Sequence, residues 1–303
     1  MAEIISGWHL VLFSDGSYDL RAAGRRLRKQ SEASGIFSSV TLHNKKTLSK
    51  SNKDFYFFLK DFVYRNPKGY GKWIWKPYLI LEKLNEIPSN HGVVYLDSGC
   101  YLNLKTESAR LRMTEYLTMA QENGSLAMQL YDFQFSSHDL TDLRHSKPFL
   151  KDFPHIEEEH FKTNQVQAGI LFFTKSAKNL EFISHWNVLT SHYNKLLSDN
   201  IYLVRNKMPI EDFRWDQSIF SLLYKQSKMF SIIDETYFFP NWIQGQDYPI
   251  WAMRWKRGSD PLRFNLKDMP NNFMSIVLSI IRRANASVRY KSSLIVRLVK
   301  SWL

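Results

Sequence analysis

The chain has 303 residues, of which 44% are hydrophobic, and its 41 Lys and Arg against 29 Asp and Glu give a net charge of +12. This composition excludes a disordered chain, and one Cys with 12 Gly excludes a disulfide framework or a collagen-like repeat. Aromatic residues make up 15% of the chain, and their faces stack on sugars and bases alike.

The first two thirds of the chain alternate strand-like and helix-like apolar patterns. This alternation predicts an α/β fold with a mostly parallel sheet flanked by helices. Strands are predicted at residues 9–13, 36–42, 92–96, 125–130, 166–173 and 231–233. Helices are predicted at residues 19–33, 55–64, 75–84, 108–121, 177–197 and 215–226. The polar stretch between residues 131 and 165 is interpreted as a long functional excursion on the carboxyl side of the sheet.

The positive charge is concentrated near the end of the chain. Residues 254–303 contain 11 Lys or Arg and two Asp, a net charge of +9, so residues 1–253 carry only +3. Beyond Met253, apolar residues recur three and four positions apart among basic ones. We therefore predict one domain over residues 1–253 and a basic amphipathic helical tail over residues 254–303. Such a tail suits an anionic membrane surface, although helices packed on the domain with a solvated basic face give the same pattern.

Cellular location is inferred from what the sequence lacks. The first residues carry no cationic segment of a secretory signal, and the apolar stretches of the tail fall short of the ~20 residues that a spanning helix needs. The single Cys100 suits a reducing compartment. We expect a cytoplasmic protein.

Two motifs predict a binding site. Asp97-Ser98-Gly99-Cys100 follows a strand, and open α/β sheets bind ligands outside the carboxyl ends of their strands. Asp, Ser and Gly also form ordinary strand-ending turns. Upstream, residues 69–77 place Lys72 and Lys76 at a helix start, where anions are attracted. Tryptophans in the same segment suit a core role, but the lysines and glycines among them favour a phosphate-bearing ligand.

Taken in order, five segments carry a family resemblance. They are residues 12–18, 69–77, 95–100, 167–170 and 216–218. Together they resemble bacterial GT-A glycosyltransferases encoded with capsule, O-antigen and related surface polysaccharides. The resemblance extends from residue 8 to residue 225.

The resemblance implies roles for residues that would hold a nucleotide-sugar donor. Ser14, Asp15 and Tyr18 would bind the uridine or ribose, and Lys76 would meet the diphosphate or donor sugar. Gln167 and Gly169 would line the donor-sugar pocket, although a buried strand that contains a Gly explains them equally.

The metal motif of these enzymes is incomplete here. Asp97 stands where they place the first carboxylate of an Asp-x-Asp motif, but Gly99 replaces the second Asp. No His follows His192, so no downstream imidazole completes a site as in some relatives. This departure puts a Mn²⁺ or Mg²⁺ cofactor in doubt and leaves Asp97 as its candidate ligand.

Without an ion, side-chain cations must neutralise the leaving diphosphate. Arg254 and Arg257 are the candidates because guanidinium groups bind phosphate oxygens in pairs; the alternative is a solvated or membrane-facing basic patch. An inverting transferase also needs a carboxylate base, for which Asp216 is the first choice and Asp212 the second. Either Asp could instead cap the helix that follows.

The leading interpretation is a glycosyltransferase of the hexosyltransferase type. It would move a sugar from a nucleotide-sugar donor, expected to be a UDP-sugar, to a hydroxyl of a lipid-linked or growing surface polysaccharide. It would lie peripherally at the inner face of the cytoplasmic membrane. The alternatives are a non-catalytic glycan-binding protein and a nucleic-acid-binding protein; no nucleic-acid-binding motif is present, so we expect no such partner.

Overall fold

A computed structural model describes residues 5–131, 141, 156–192, 214–238, 241–259 and 261. Asp212, the end of the helix predicted over residues 177–197, and nearly all of the predicted basic tail lie outside the described residues.

In the described residues, eight strands form two sheets. The strands are β1 (Gly7–Phe13), β2 (Ser39–His43), β3 (His91–Leu96), β4 (Tyr101–Leu102), β5 (Ser125–Gln129), β6 (Ile170–Thr174), β7 (Ser231–Ile233) and β8 (Ile250–Trp251). The large sheet has the order β2-β1-β3-β6-β5-β7, and β4 pairs with β8 in a small second sheet. β1 is parallel to β2 and β3, whereas β6 is antiparallel to β3 and β5. Because β5 and β7 are again parallel, β6 alone among the described strands of this sheet opposes the common direction.

Helices connect these strands. They are α1 (Tyr18–Ser34), α2 (Lys45–Ser51), α3 (Lys53–Arg65), α4 (Gly69–Lys72), α5 (Trp75–Glu86), α6 (Glu107–Asn123), α7 (Glu159–Lys162), α8 (Ala177–His192) and α9 (Trp215–Gln226). Side-chain caps fix several starts: the Ser17 hydroxyl accepts a hydrogen bond from the Leu20 amide at α1. Left-handed glycines end helices, as Gly35 does at φ +68°.

Helices cover both faces of the large sheet. Residues that alternate along β1 separate into two cores: Val11 and Phe13 pack with residues of α5, α8 and α9, whereas Leu10 and Leu12 pack with residues of α1 and α6. This alternation follows from the two-residue period of a strand. The predicted α/β class with a mostly parallel sheet is confirmed, and the architecture is consistent with the GT-A fold that the resemblance implies.

Some element bounds differ from prediction. The second strand begins at Ser39 rather than at residue 36, and β6 starts at Ile170 rather than at residue 166. Before β6, Val166 forms an isolated antiparallel bridge with Gln129, and its amide donates to the Ser221 hydroxyl of α9. The apolar pattern predicted a continuous strand there, but these contacts divide it.

The strand order has a switch point at the carboxyl ends of β1 and β3. From β1 the chain passes to β2 on one side, and then crosses to β3 on the other side of β1. Ligands bind at such a switch point, outside the carboxyl ends of the strands. The turns after β1 and β3 contain Asp15 and Asp97. In the described part of the chain, no helix is long and apolar enough to cross a bilayer.

Candidate active site

A buried lysine contacts two carboxylates at the carboxyl end of β3. Lys76 Nζ lies 2.8 Å from Asp216 Oδ2 and 3.6 Å from Asp97 Oδ1, and it donates a hydrogen bond to the Ala168 carbonyl at 2.9 Å. The side chains of Lys76 and Asp216 are 3% and 5% exposed, whereas that of Asp97 is 41% exposed. A ligand entering from solvent would therefore meet Asp97 first.

The end of β3 fixes the position of Asp97. Its amide donates to the Gly169 carbonyl at 2.8 Å, and the Tyr95 hydroxyl donates to its Oδ1 at 2.7 Å. A Cβ on Gly169 would lie 3.0 Å from Asp97 Oδ2. The glycine thus leaves room for this carboxylate, and the donor-sugar contact that the resemblance implies stays a prediction.

Burial and charge determine the protonation of the Lys76–Asp216 pair. Burial raises the pKa of Asp216 to about 6, while the nearby Lys76 ammonium acts in the opposite direction. Burial alone would lower the pKa of Lys76, but Asp216 and Asp97 outweigh it and the net direction is upward. Lys76 therefore remains charged at neutral pH, and Asp216 has the pKa of a group that can exchange a proton under physiological conditions.

Strained backbone surrounds the cluster. Among the described residues, the non-Gly residues with positive φ are Tyr70, Lys72, Trp73, Trp215, Lys228 and Arg254. All except Lys228 lie at the site. Three of them precede α5, Trp215 directly precedes Asp216, and Arg254 packs on Gly99. Such strain persists where the surrounding structure enforces it, which is typical of functional sites.

An aromatic and cationic group adjoins Asp216. The Trp73 and Trp215 rings are 5.5 Å apart, and the ammonium groups of Lys68 and Lys72 lie 3.8 and 4.6 Å from the centre of the Trp215 ring. Both lysines of the helix start that was predicted to attract anions are buried. Lys72 packs against the Trp215 ring, and Lys76 packs against the Asp216 carboxylate. Residue 215 is far from residues 68–73 in the sequence, and the fold brings their side chains into contact.

The turn after β1 is organised by Asp15. This buried carboxylate accepts hydrogen bonds from the amides of Gly16 and Lys45 at 2.6 and 2.7 Å. Ser14 is buried and its hydroxyl donates to the Leu20 carbonyl, while Tyr18 is 71% exposed. Of the three residues predicted to bind the nucleoside, only Tyr18 therefore presents most of its side chain to solvent.

The segment that contains Arg254 and Arg257 contacts the turn after Asp97 through its backbone. The Trp255 amide donates to the Gly99 carbonyl at 2.9 Å, and a Cβ on Gly99 would lie 3.0 Å from the Arg254 Cα. The Arg257 guanidinium lies 5.5 Å from the centre of the Trp255 ring. The segment predicted to supply cations is thus attached to the turn that follows Asp97.

A buried arginine that the sequence analysis missed holds this attachment. Arg26 Nη2 donates to the Cys100 carbonyl at 3.0 Å and to the Trp255 carbonyl at 3.4 Å, and Arg26 Nε donates to the Arg257 carbonyl at 3.3 Å. An Arg in the middle of a helix resembles a solvated residue in sequence, so no signal distinguished Arg26.

Gln167 lies in a neighbouring polar network. Its side-chain amide donates to Asp234 Oδ1 at 3.1 Å and to the Thr236 hydroxyl at 3.3 Å. Gln167 is buried, and burial raises the pKa of Asp234 to about 6. The predicted donor-pocket residue thus connects the segment before β6 with the one after β7.

The described side chains do not fit a divalent metal ion. Asp97 Oδ1 already accepts the Tyr95 hydroxyl and faces the Lys76 ammonium, and Gly99 has no ligating group. Within the described residues, no three His, Cys, Asp or Glu side chains form a group that could hold a metal. The Lys76 ammonium supplies a fixed positive charge beside Asp97.

Comparisons with known proteins gave structural neighbours only. No family model and no curated protein matches the chain. It is similar to the crystal structure of a glycosyltransferase involved in glycosylation of the major capsid of PBCV-1, with 13% identity and a TM-score of 0.45 over 82% of this chain and 92% of that one. It is also similar to apo mouse xyloside xylosyltransferase 1, with 10% identity and a TM-score of 0.41 over 81% of this chain and 97% of that one. Both neighbours are glycosyltransferases.

Proposed function

We propose that this protein is a glycosyltransferase that moves a sugar from a nucleotide-sugar donor to an acceptor hydroxyl. The observation that carries the proposal is the junction of Lys76, Asp97 and Asp216 at the switch point of the sheet. These residues come from three of the segments that carry the resemblance, and a nucleotide ligand is expected at such an edge.

In the proposed reaction, the enzyme positions the substrates and stabilises charge. Asp97, the most exposed member of the cluster, accepts hydrogen bonds from donor hydroxyls. Asp216 is the proposed base for the acceptor hydroxyl, with Asp212 as the second candidate. As the sugar–phosphate bond breaks, Lys76 with Arg254 or Arg257 offsets the charge of the diphosphate.

The proposed donor is a UDP-sugar and the proposed acceptor is a lipid-linked or growing surface polysaccharide. The site would then work at the cytoplasmic face of a membrane, where the basic tail would hold the protein peripherally. The motifs that resemble polysaccharide-assembling transferases support this acceptor.

Ligand binding and turnover test the proposal. Calorimetry with UDP and a series of UDP-sugars, with and without Mn²⁺, should detect donor binding without the metal. Incubation with lipid-linked acceptors should then give a glycosylated product by mass spectrometry. The absence of both binding and product would refute the proposal.

Three substitutions separate the proposed roles. Asp216→Asn should retain UDP-sugar binding and lower turnover by at least about a hundredfold, because a general base contributes that much. Asp97→Asn should weaken binding of the UDP-sugar more than of UDP. Asp212→Asn serves as the comparison variant, and a larger loss of turnover there than in Asp216→Asn would transfer the role of base to Asp212.

The incomplete metal motif favours a second candidate, a non-catalytic glycan-binding protein. Gly99 supplies no carboxylate, and Lys76 is already balanced by two acids. Glycan binding that persists in Asp216→Asn, together with no product from any donor, would favour this alternative.

A further inference from the structure

Helix α3 presents a stripe of alternating cations and aromatic rings to solvent. The stripe consists of Lys53, Phe57, Lys60 and Tyr64, which are spaced four, three and four residues apart and therefore lie on one helix face. Phe57 is 61% exposed and Tyr64 is 88% exposed, and both lysines are exposed. The opposite face, with Leu59 and Phe62, packs in the core.

The charge around this stripe has one dominant sign. Residues 45–68, which include α2 and α3, contain seven Lys or Arg and two Asp, a net charge of +5. One of the two acids, Asp61, is paired with Arg65 one turn later on the flank of the stripe. The stripe itself contains no acid.

We propose that the α3 stripe is a membrane-docking surface that binds anionic lipid. Aromatic rings enter the headgroup region of a bilayer, while lysines beside them keep their charged ends among the phosphates. A convex helix face suits a flat bilayer, whereas single-stranded nucleic acid binds in a groove lined by rings. A second copy of the chain would bring two surfaces of like charge together.

The segment that follows α3 contacts the candidate active site. Three residues beyond the end of α3, Lys68 places its ammonium group 3.8 Å from the centre of the Trp215 ring, next to Asp216. Gly71 packs closely on α3, since a Cβ there would lie 3.0 Å from Val63. Gly71 packs on the face of α3 that contains Leu59 and Phe62, so a bilayer on the stripe would lie one helix away from this segment. That a lipid-linked acceptor reaches the site from there rests on the proposed function, whereas lipid binding does not.

Vesicle flotation with the full chain tests the charge of the stripe. Vesicles of phosphatidylcholine that contain about 30% phosphatidylglycerol should bind the wild type more tightly than pure phosphatidylcholine vesicles do. Lys53→Glu with Lys60→Glu should weaken that binding by at least about tenfold. The control is Lys29→Glu with Lys178→Glu, which changes the net charge equally at exposed positions of α1 and α8 and should bind like the wild type.

The rings are tested separately. Phe57→Ser with Tyr64→Ser should also weaken vesicle binding, whereas Leu111→Ser with Val188→Ser, at positions 59% and 43% exposed on other helices, should not. Far-ultraviolet circular dichroism and the melting temperature confirm that each variant folds. Wild-type affinity in both stripe variants would overturn the proposal.

A fluorescent label reports contact directly. Cys100 is buried, so Phe57→Cys labels at the new position. An environment-sensitive dye at residue 57 should shift to shorter wavelength on anionic vesicles, and the same dye on Leu111→Cys should not. An unshifted dye at residue 57 on vesicle-bound protein, or binding to a single-stranded oligonucleotide but not to vesicles, would contradict membrane docking. None of these measurements uses sugar transfer, so lipid binding and the proposed function can fail independently.

Discussion

Lys76 is a buried cation whose charge is balanced by carboxylates from two other segments. Removing one partner of such a pair leaves the other charge buried without compensation, which lowers the free energy of unfolding strongly. Replacing the whole pair by apolar residues changes the free energy of unfolding much less. The Lys76–Asp216 contact is therefore a sensitive point for stability as well as for chemistry.

Lys76→Met should lower the free energy of unfolding by about 3–5 kcal/mol at pH 8, because Asp216 then remains buried without a cation. At pH 5.5 the loss should be smaller, since the Asp216 carboxyl can take up a proton. Urea unfolding at the two pH values measures both effects. Adding Asp216→Leu to Lys76→Met should restore part of the stability, and equal unfolding midpoints for wild type and Lys76→Met would contradict this account of the pair.

Asp234 provides a pH-dependent contribution to stability at a single residue. Burial raises its pKa from 3.8 to about 6, so the folded protein binds the proton more tightly than the unfolded chain does. The fold is therefore more stable with this carboxyl protonated than with it ionised. The contribution of Asp234 to the free energy of unfolding falls as the pH rises from about 4 to about 6.

Asp234→Asn should remove this dependence. Asp234 Oδ1 accepts the hydrogen bonds from Thr236 and Gln167, and an Asn carbonyl can accept the same bonds. The stability of Asp234→Asn relative to wild type should rise by about 2 kcal/mol between pH 4 and pH 7, from a pKa shift of about two units, because the unfolded Asp is already partly ionised at pH 4. Guanidinium unfolding at several pH values measures this difference, and a constant difference would show that Asp234 ionises normally in the folded protein.

At the scale of elements, α1 holds two loops of the site together. Arg26 is 7% exposed and its guanidinium donates to carbonyls after β3 and in the segment near residue 255. A planar group with five donors can connect several carbonyls at once, which a lysine cannot do with the same geometry.

Arg26→Met should loosen this connection while α1 remains folded. The Trp255 amide, which donates to the Gly99 carbonyl, should then exchange its hydrogen at least about tenfold faster, since local opening no longer breaks the arginine contacts. Hydrogen exchange followed by mass spectrometry measures this in peptides that contain residues 98–100 and 254–257. Arg25→Met, at the exposed neighbouring position, should leave both peptides unchanged. Unchanged exchange in Arg26→Met would remove its positioning role.

Elements with a strong periodic pattern could be predicted from sequence, and shorter ones could not. The helix over residues 215–226 has the predicted bounds. β4 and β8 contain two residues each, too few to show a period, and α2 is a seven-residue polar helix fixed by its Asn44 cap. The reversed direction of β6 depends on its partners across the sheet, which no local pattern records.

The candidate site shows the same division. Asp97, Lys76 and Asp216 were each selected as candidates because of local chemistry and resemblance. Their mutual contact depends on α5, the end of β3 and α9 meeting at one place, and no local sequence pattern indicates that meeting. The site residues themselves stay a prediction until ligand binding is measured.

At the scale of the whole molecule, the net charge has two sources. Residues 254–303 account for +9 of the net +12, and residues 45–68 carry +5, so the rest of the chain is slightly acidic. Two basic segments that bind one membrane act together, because the first contact raises the effective concentration of the second. Their joint affinity would exceed that of either alone.

Deletion of residues 270–303 tests this cooperation. The deletion removes six Lys or Arg and no acid, so the net charge falls from +12 to +6. The deletion keeps the contacts that join residues 254–259 to the body, such as the Trp255 amide on the Gly99 carbonyl and Gly258 on Ala22, and the melting temperature checks that the shortened chain folds. Affinity for phosphatidylglycerol vesicles should fall by more than about tenfold but remain measurable through the α3 stripe. Combining the deletion with Lys53→Glu and Lys60→Glu should abolish the remaining binding. If the deletion alone abolished it, the tail would be the sole membrane contact; if the deletion had no effect, the tail would be a packed or solvated segment.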